Sequence, residues 1–497
     1  MLSGLTLSPS FRKDSLMCKV SFCCGMESKC GDATFLTMDA LLHIFSYLEA
    51  EDLLRVSFVN KFWNEAAQTE WLWRNMCLQR WTFCNPSLLK PGMQTWRNYY
   101  LHRSKLEKHM ISGRSSTDYT CKTLRGHDGQ ILDLVCYSEG SNQSDPINGK
   151  SIVCTTSTDS TLRAWDIKQG IQLWSSPVQN APFKKIAADH QKDLIISLDS
   201  KGTVKTWQVL TGKEVSSVST CLTLCTLSVF SIQDQSYLIA GADCGVLRTF
   251  TVPELSQVSH VEAFPGEQIH FVLVSPDKQW IITGVKANHN LCAKVYLKDD
   301  LSNPSNDCPP LSSSLPVPGC EEACFLPCEA ARVLMAHCSP DRSALSFSTF
   351  DIKSKKNKRG MEIAVEQVGH FQPQLNSVSG IILEARGSDT IVFAQGQVLW
   401  VYTITGEQIG RFQDHNEPIT ALCVDSFRVV TASSDLSLRV LTWKKEKGLT
   451  LVGRYHLLGG SHTTHRGLSH VVCDYANIVT SAVGRNHKDI LKVYSFQ

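Results

Sequence analysis

The sequence predicts a multidomain chain of the α plus all-β class: a small N-terminal helical module with linker helices, then a β-propeller of eight blades, seven being the alternative. Three observations carry this. Helical apolar periodicity is confined to residues 37 to 111. After "SGRSSTDY" (112 to 119) the period drops toward two, in short runs separated by turn residues. Finally, a bulky residue closing a strand-like run returns at Trp165, Trp207, Phe250, Tyr296, Phe350, Trp400, Leu441 and Tyr494. Successive members lie 41 to 54 residues apart, close to the forty-odd residues of a four-stranded blade.

Taken in order, residues 1–33 mix Ser, Gly, Cys and Lys without a period and are expected to form a poorly ordered leader. From Thr37, a candidate cap, Leu41, Leu42, Ile44, Phe45 and Leu48 fall along one helix face. Glu51 and Asp52 stand where acidic groups favour a second helix start, and Leu53, Leu54, Val56 and Val59 continue an apolar face. Asn60 can cap a third helix, "KFWNEAAQ". "EWLWRNMCLQRW" and "TWRNYYLHRSKLEKHMI" extend the helical reading, with Pro86, Pro91 and Gly92 between them. The module is therefore drawn over 34–81, a helical linker over 82–118 and the propeller over 119–497.

Each propeller unit cannot bury its sheet faces alone, so the blades must stack around an axis and the ring must close. The last repeat ends at its third strand, "LKVYSFQ", while "YTCKTL" (119 to 124) precedes the first repeat as an orphan. Pairing the orphan with the last blade supplies the missing strand and removes an exposed edge.

Composition sets the outer bounds. In 497 residues, 42% apolar content fills a sizeable core, which excludes a disordered chain. Forty-nine Lys plus Arg against forty-seven Asp plus Glu leave no strong field toward nucleic acid or anionic lipid. Twenty cysteines are scattered through strand-like runs rather than spaced as a secreted framework, so they read as buried thiols in a reducing compartment. No secretory leader and no run of about eighteen apolar residues is seen. A cytoplasmic or nuclear location is expected.

The residues also resemble a known family. "LLHIFSYL", "EDLLRVSFVNKFWNEAA" and "WLWR" follow the order of an F-box, although Leu36 is followed by Thr37 where that family usually has proline. Gly126-His127, Ser157, Asp159 and Trp165-Asp166 resemble a WD repeat, and His415, Ser433 and Asp435 repeat the pattern with Leu441 in place of Trp. The chain thus resembles F-box/WD-repeat proteins. That resemblance implies a non-catalytic substrate receptor of an SCF-type ubiquitin ligase. Its helical module would bind a Skp-family adaptor, and through it a cullin-RING scaffold, while the propeller holds a protein substrate, phosphorylated or not. The matched adaptor positions are Leu36, Leu41, Leu42, Ile44, Phe45, Leu48, Leu53, Val59 and Trp63, some of which will instead form the module's own core. His127, Ser157, Asp159 and Trp165 correspond to the family's structural network. The alternative is a WD-repeat scaffold whose module binds the adaptor weakly or delivers nothing.

Other signals are weaker. Arg163, Lys205, Arg248, Lys294, Arg439 and Lys492 stand two residues before a bulky blade end; a phosphate-binding ring is conceivable, but packed stems with solvated heads are the stronger reading. "KSKKNKR" (353 to 359) reads as a solvated loop between blades rather than an import signal or nucleic-acid patch. His456, His462, His465 and His470 read as part of a Gly/Thr-rich loop without a Cys or acidic partner at ligand spacing, and Cys320, Cys324 and Cys328 read as thiols rather than zinc ligands. "NGKS" (148 to 151) lacks the earlier glycine of a phosphate loop. No catalytic residue, metal or cofactor is predicted, and neither nucleic acid nor membrane is expected as a partner.

Overall fold

A computed structural model describes residues 36–81, 84–89, 92–115, 117–138, 151–286, 288, 290–304, 309–339, 344–357, 360–375, 380–445, 449–458, 465–484 and 486–497. The expected leader over 1–33, the "NQS" and "NGK" residues and His462 lie outside these. The chain divides into two units, 1–72 and 73–497.

In the first unit, α1 (Met38–Phe45) starts where Thr37 accepts the Ala40 N–H, and α3 (Lys61–Ala67) starts where Asn60 accepts the Trp63 N–H. Between them α2 (Ala50–Val56) opens on Glu51 and Asp52. These caps satisfy amide groups that a short helix otherwise leaves bare. Leu41, Phe45, Leu53, Ala66 and Ala67 form the interior, with the Phe45 and Trp63 rings edge to face at 5.6 Å. Helix α4 (Glu70–Arg80) runs across the division.

The second unit holds eight antiparallel four-stranded sheets, which settles the blade count at eight. Seven are built from consecutive strands: 131–175, 183–219, 224–262, 271–318, 320–371, 381–412 and 419–458. Blade 8 takes three strands from 465–496 and its fourth from Tyr119–Leu124, in register from Tyr119 opposite Phe496 to Leu124 opposite Leu491. All eight recurring bulky residues lie in the third strand of their blade. An apolar cluster fills every seam between neighbouring blades. At the closing seam, Leu124, Val479, Leu491 and Val493 meet Ile131, Val153 and Trp165.

Polar staples reinforce the same region. Arg428 of blade 7, fully enclosed, donates to Asp425 (3.2 Å) and to the Asp474 carbonyl of blade 8 (2.6 Å). The Asp474 carboxylate accepts from Asn477 (2.8 Å) and from Ser151 of blade 1.

Helix α5 (Trp96–Ser112) is part of this unit. Thr95 caps its start, and Leu106 and Met110 enter the cluster between blades 7 and 8. Glu107 accepts from Arg80 (2.6 Å), from the Trp81 indole (2.6 Å) and from the Tyr475 hydroxyl (2.9 Å). Arg103 donates to Tyr475 (3.0 Å) and lies over the Trp81 ring at 4.7 Å. The helix ends at Gly113, φ 57°, where a Cβ would come within 2.3 Å of the Tyr455 ring. Only glycine meets both demands.

Two sequence expectations are corrected. The third strand of blade 5 runs on to Asn357 and pairs with Gly360–Phe371, so Lys353, Lys355 and Lys356 belong to a hairpin inside one blade, not to a loop between blades. Burial of Ile352 and Ile363 anchors this hairpin, while Lys353 reaches Glu366 at 3.5 Å. His456 lies in the outer strand of blade 7, and His465 and His470 in the inner strand of blade 8, where two register shifts obscure the alternation.

Because the closing seam joins the ends of the propeller without a covalent link, Leu491→Ala, which empties a site 1% exposed, should cost about 2–5 kcal/mol. A lowered urea midpoint checks this; an unchanged midpoint would show that the seam does not hold the ring.

Candidate functional site

The N-terminal helices separate the sequence-matched residues into three groups. Leu41, Phe45 and Leu53 are buried; Leu42, Leu48 and Trp63 are half-buried; Leu36, Ile44 and Val59 are exposed. Three aromatic residues that periodicity did not single out are also exposed: Tyr47 at 77%, Phe58 at 88%, and Phe62. Tyr47 and Phe58 follow the last turns of α1 and α2, where no helical repeat points to them. Their signal was their type alone, since large aromatics are seldom left in water without a partner. A module this small thus buries one apolar set and presents another.

In blade 1 the structure places His127, Asp159 and Trp165 in one hydrogen-bond chain. The Trp165 indole donates to Thr155 Oγ1 (2.9 Å). The Thr155 hydroxyl then donates to His127 Nε2 (2.8 Å), which leaves Nδ1–H to donate to Asp159 Oδ2 (2.9 Å). Ser157 stands beside this chain and accepts the Asp159 N–H (3.2 Å). Thr155 and Thr161, the latter 2.6 Å from Asp159 Oδ1, complete the arrangement and were not marked by the sequence. Blade 7 repeats it with His415, Thr431, Asp435 and Ser437, but Leu441 replaces the indole. Burial alone would raise the Asp159 carboxyl; hydrogen bonds from His127 and Thr161 outweigh it and hold the group below the usual carboxylate range. Burial likewise opposes, and Ser437 and His415 bonds produce, the lowered Asp435. Burial lowers His415, only partly offset by Asp435.

Five of the six cations before the blade ends are engaged within the chain, whereas the Nε of the sixth, Arg439, is buried without a hydrogen-bond partner among the described residues. Arg163 donates to Gln172 (2.7 Å), Lys205 to Glu214 (2.9 Å), Arg248 to the Thr220 carbonyl (3.2 Å), Lys294 to the Ala263 carbonyl (2.7 Å) and Lys492 to Thr123 (2.8 Å). Their first role is to tie strands and loops together. Among the described residues, no group of three or more His, Cys, Asp or Glu is placed to hold a metal ion, and no helix is long and apolar enough to cross a membrane.

The chain is similar to known proteins in both of its parts. Residues 38–79 match the F-box-like family, and residues 118–166 match the WD domain, G-beta repeat. The chain is 32% identical over 467 residues to F-box/WD repeat-containing protein 12 of Homo sapiens, covering 92% of this chain and 98% of that one. It is 26% identical over 419 residues to F-box/WD repeat-containing protein 15 of Mus musculus, covering 84% and 89%. Among solved structures, the computationally designed Ika8 protein aligns with a TM-score of 0.53 at 17% identity, covering 75% of this chain and 98% of its own, a likeness of fold.

Thr155→Val should cost about 1–3 kcal/mol for each buried nitrogen left unpaired, and Thr155→Ser should restore most of it; urea titration measures both. The pH dependence follows from the signs above. His415 is depressed in the fold from its ordinary 6.5, so its contribution is complete above that value and is lost as pH falls below it. Asp159 and Asp435 lose theirs only below about 3.8, their ordinary value. The urea midpoint should therefore decline from pH 7 to pH 5, less steeply in His415→Asn.

Proposed function

Because the chain belongs to the F-box/WD repeat-containing family, we propose that it is a non-catalytic substrate receptor of an SCF-type cullin-RING ubiquitin ligase. The helical module binds a Skp-type adaptor, and the propeller binds a protein substrate. Its contribution to ubiquitin transfer is positional: holding a substrate lysine near a charged ubiquitin carrier raises the effective concentration of the two.

The observation that carries this reading is the outward apolar set Leu36, Ile44, Tyr47, Phe58, Val59 and Phe62, beside a separate, filled interior. Hydrophobic surface of this kind is stabilised when a partner covers it. Thr37 in the place of the usual proline does not spoil the module, since its side chain caps α1. That cap favours the receptor over a scaffold with a weakened module.

The structure also selects the variant for the test. Phe45 is 1% exposed, so Phe45→Asp would unfold the module rather than probe its surface. Ile44→Asp with Phe58→Asp alters only exposed positions. Co-purification should recover adaptor and cullin with the wild-type chain and lose them by about tenfold or more with the double variant, a differential of at least about 1.4 kcal/mol. The variant's urea midpoint should stay unchanged. Failure of the wild type to recover adaptor would refute the proposal.

A further inference from the structure

In every blade the first strand packs against the first strands of its neighbours, so the fourth strand is the outer edge, paired on one side only. Such an edge carries a row of unpaired N–H and C=O groups, and proteins blunt it with charge or proline to keep other strands away. Seven of the eight outer strands follow this rule, with Lys122, Glu214, Glu262, Pro316, Glu362, Arg411 and Arg454 in chain order. The exception is Ile171–Ser175 of blade 1, "IQLWS", which has neither charge nor proline. A bulge interrupts its pairing at Leu173, but a bulge between third and fourth strands recurs in blades 2 to 7 and does not set this strand apart.

The strand is also bare. Four of its five residues are exposed, and two of these are large and apolar, Ile171 at 48% and Leu173 at 38%. Trp174 alone turns inward. Its indole donates to the Val209 carbonyl of blade 2 (2.6 Å), and its ring fills the space where a Cβ on Gly212 would come within 2.4 Å. This seat ties the edge to the turn of blade 2, and Leu210 and Val215, on either side of that contact in sequence, are exposed as well. The ionic groups bordering these residues are already engaged, Glu214 by Lys205 (2.9 Å) and Lys122 by the Lys168 carbonyl.

We propose that two copies of the chain associate through this strand, edge to edge and antiparallel about a two-fold axis. Strand addition needs a partner edge with open main-chain groups and no charge in register, and among the outer strands of this chain Ile171–Ser175 offers both. A foreign strand meets that condition only if it too is uncharged; a second copy always meets it. An axis through Leu173 presents the strand to itself, with Leu173 opposite Leu173 and Ile171 opposite Ser175. No ionic group then faces another, and the apolar side chains of both copies exclude water from the new hydrogen bonds. The contact is about 17 Å long, at the small end of specific interfaces, so the association is weak and set by concentration. It goes beyond the receptor reading and does not rest on it.

Sedimentation velocity of the full chain over roughly 1–100 μM reads the outcome. The wild type should pass from monomer toward dimer across that range. Leu173→Lys and Leu173→Glu each set like charges face to face and should weaken association about tenfold or more, at an unchanged urea midpoint. Mixed in equal amounts, the two variants should associate again, since opposite charges then meet; this rescue distinguishes a self-paired strand from the mere loss of an apolar side chain. Met361→Lys, at an exposed position in the outer strand of blade 5, should leave association intact. A wild type that stays monomeric throughout overturns the proposal and leaves the edge to a strand of another protein. Association of either Leu173 variant alone at the wild-type level, or no recovery on mixing, overturns it too.

Discussion

The pairing of Tyr119–Leu124 with the last strand of the chain is the constraint on which the propeller depends. Each blade has two sheet faces that only neighbours can cover, and seven stacked sheets with a three-stranded remainder would leave the last strand unpaired along its outer edge and the two ends of the propeller unjoined. One short strand taken from before the first repeat resolves both. The reinforcement is concentrated there too. Arg428 spans blades 7 and 8, Asp474 spans blades 8 and 1, and Leu106 and Met110 of α5 enter the adjoining seam.

Elsewhere the ring relies on apolar packing, and its polar networks are graded. Blade 1 has the full Trp165–Thr155–His127–Asp159 chain. Blade 7 keeps His415 and Asp435 but buries Leu441 where the indole stands in blade 1. Blade 2 keeps only the first link, Trp207 donating to Ser197 at 2.8 Å. Blade 7 has lost the indole end and blade 2 the imidazole end, and in each the groups that remain pair with one another, which is the physical condition for replacing the rest by hydrocarbon. This is why weak repeats coexist with an intact ring.

Much of this was legible in the sequence because it rests on local rules. Thr37 and Asn60 act as caps since each precedes an apolar helical face, and the eight bulky residues mark third strands because each blade needs one there. What a one-dimensional pattern does not carry is direction within a small module. Leu41 and Phe45 point inward while Ile44, on the same short helix, points out, and Tyr47 and Phe58 lie beyond any repeat. The network shows the same limit: Ser157 was marked by its motif, yet the link between indole and imidazole is Thr155, two positions earlier on the same strand face. The lysines at 353–356 misled because charge suggests a loop, whereas alternation with Ile352 and pairing to Ile363 and Ala364 make a strand.

The clamp on α5 has a mechanical side. The chain passes from this helix directly into the closing strand, so tension applied ahead of residue 96 meets the Glu107, Arg103 and Tyr475 contacts and the seated Met110 before it reaches Tyr119. Without them, such a pull would peel the strand from its partner one hydrogen bond at a time. With them, the load is shared across a helix face in shear, and the joint that closes the ring is shielded by the element that leads into it.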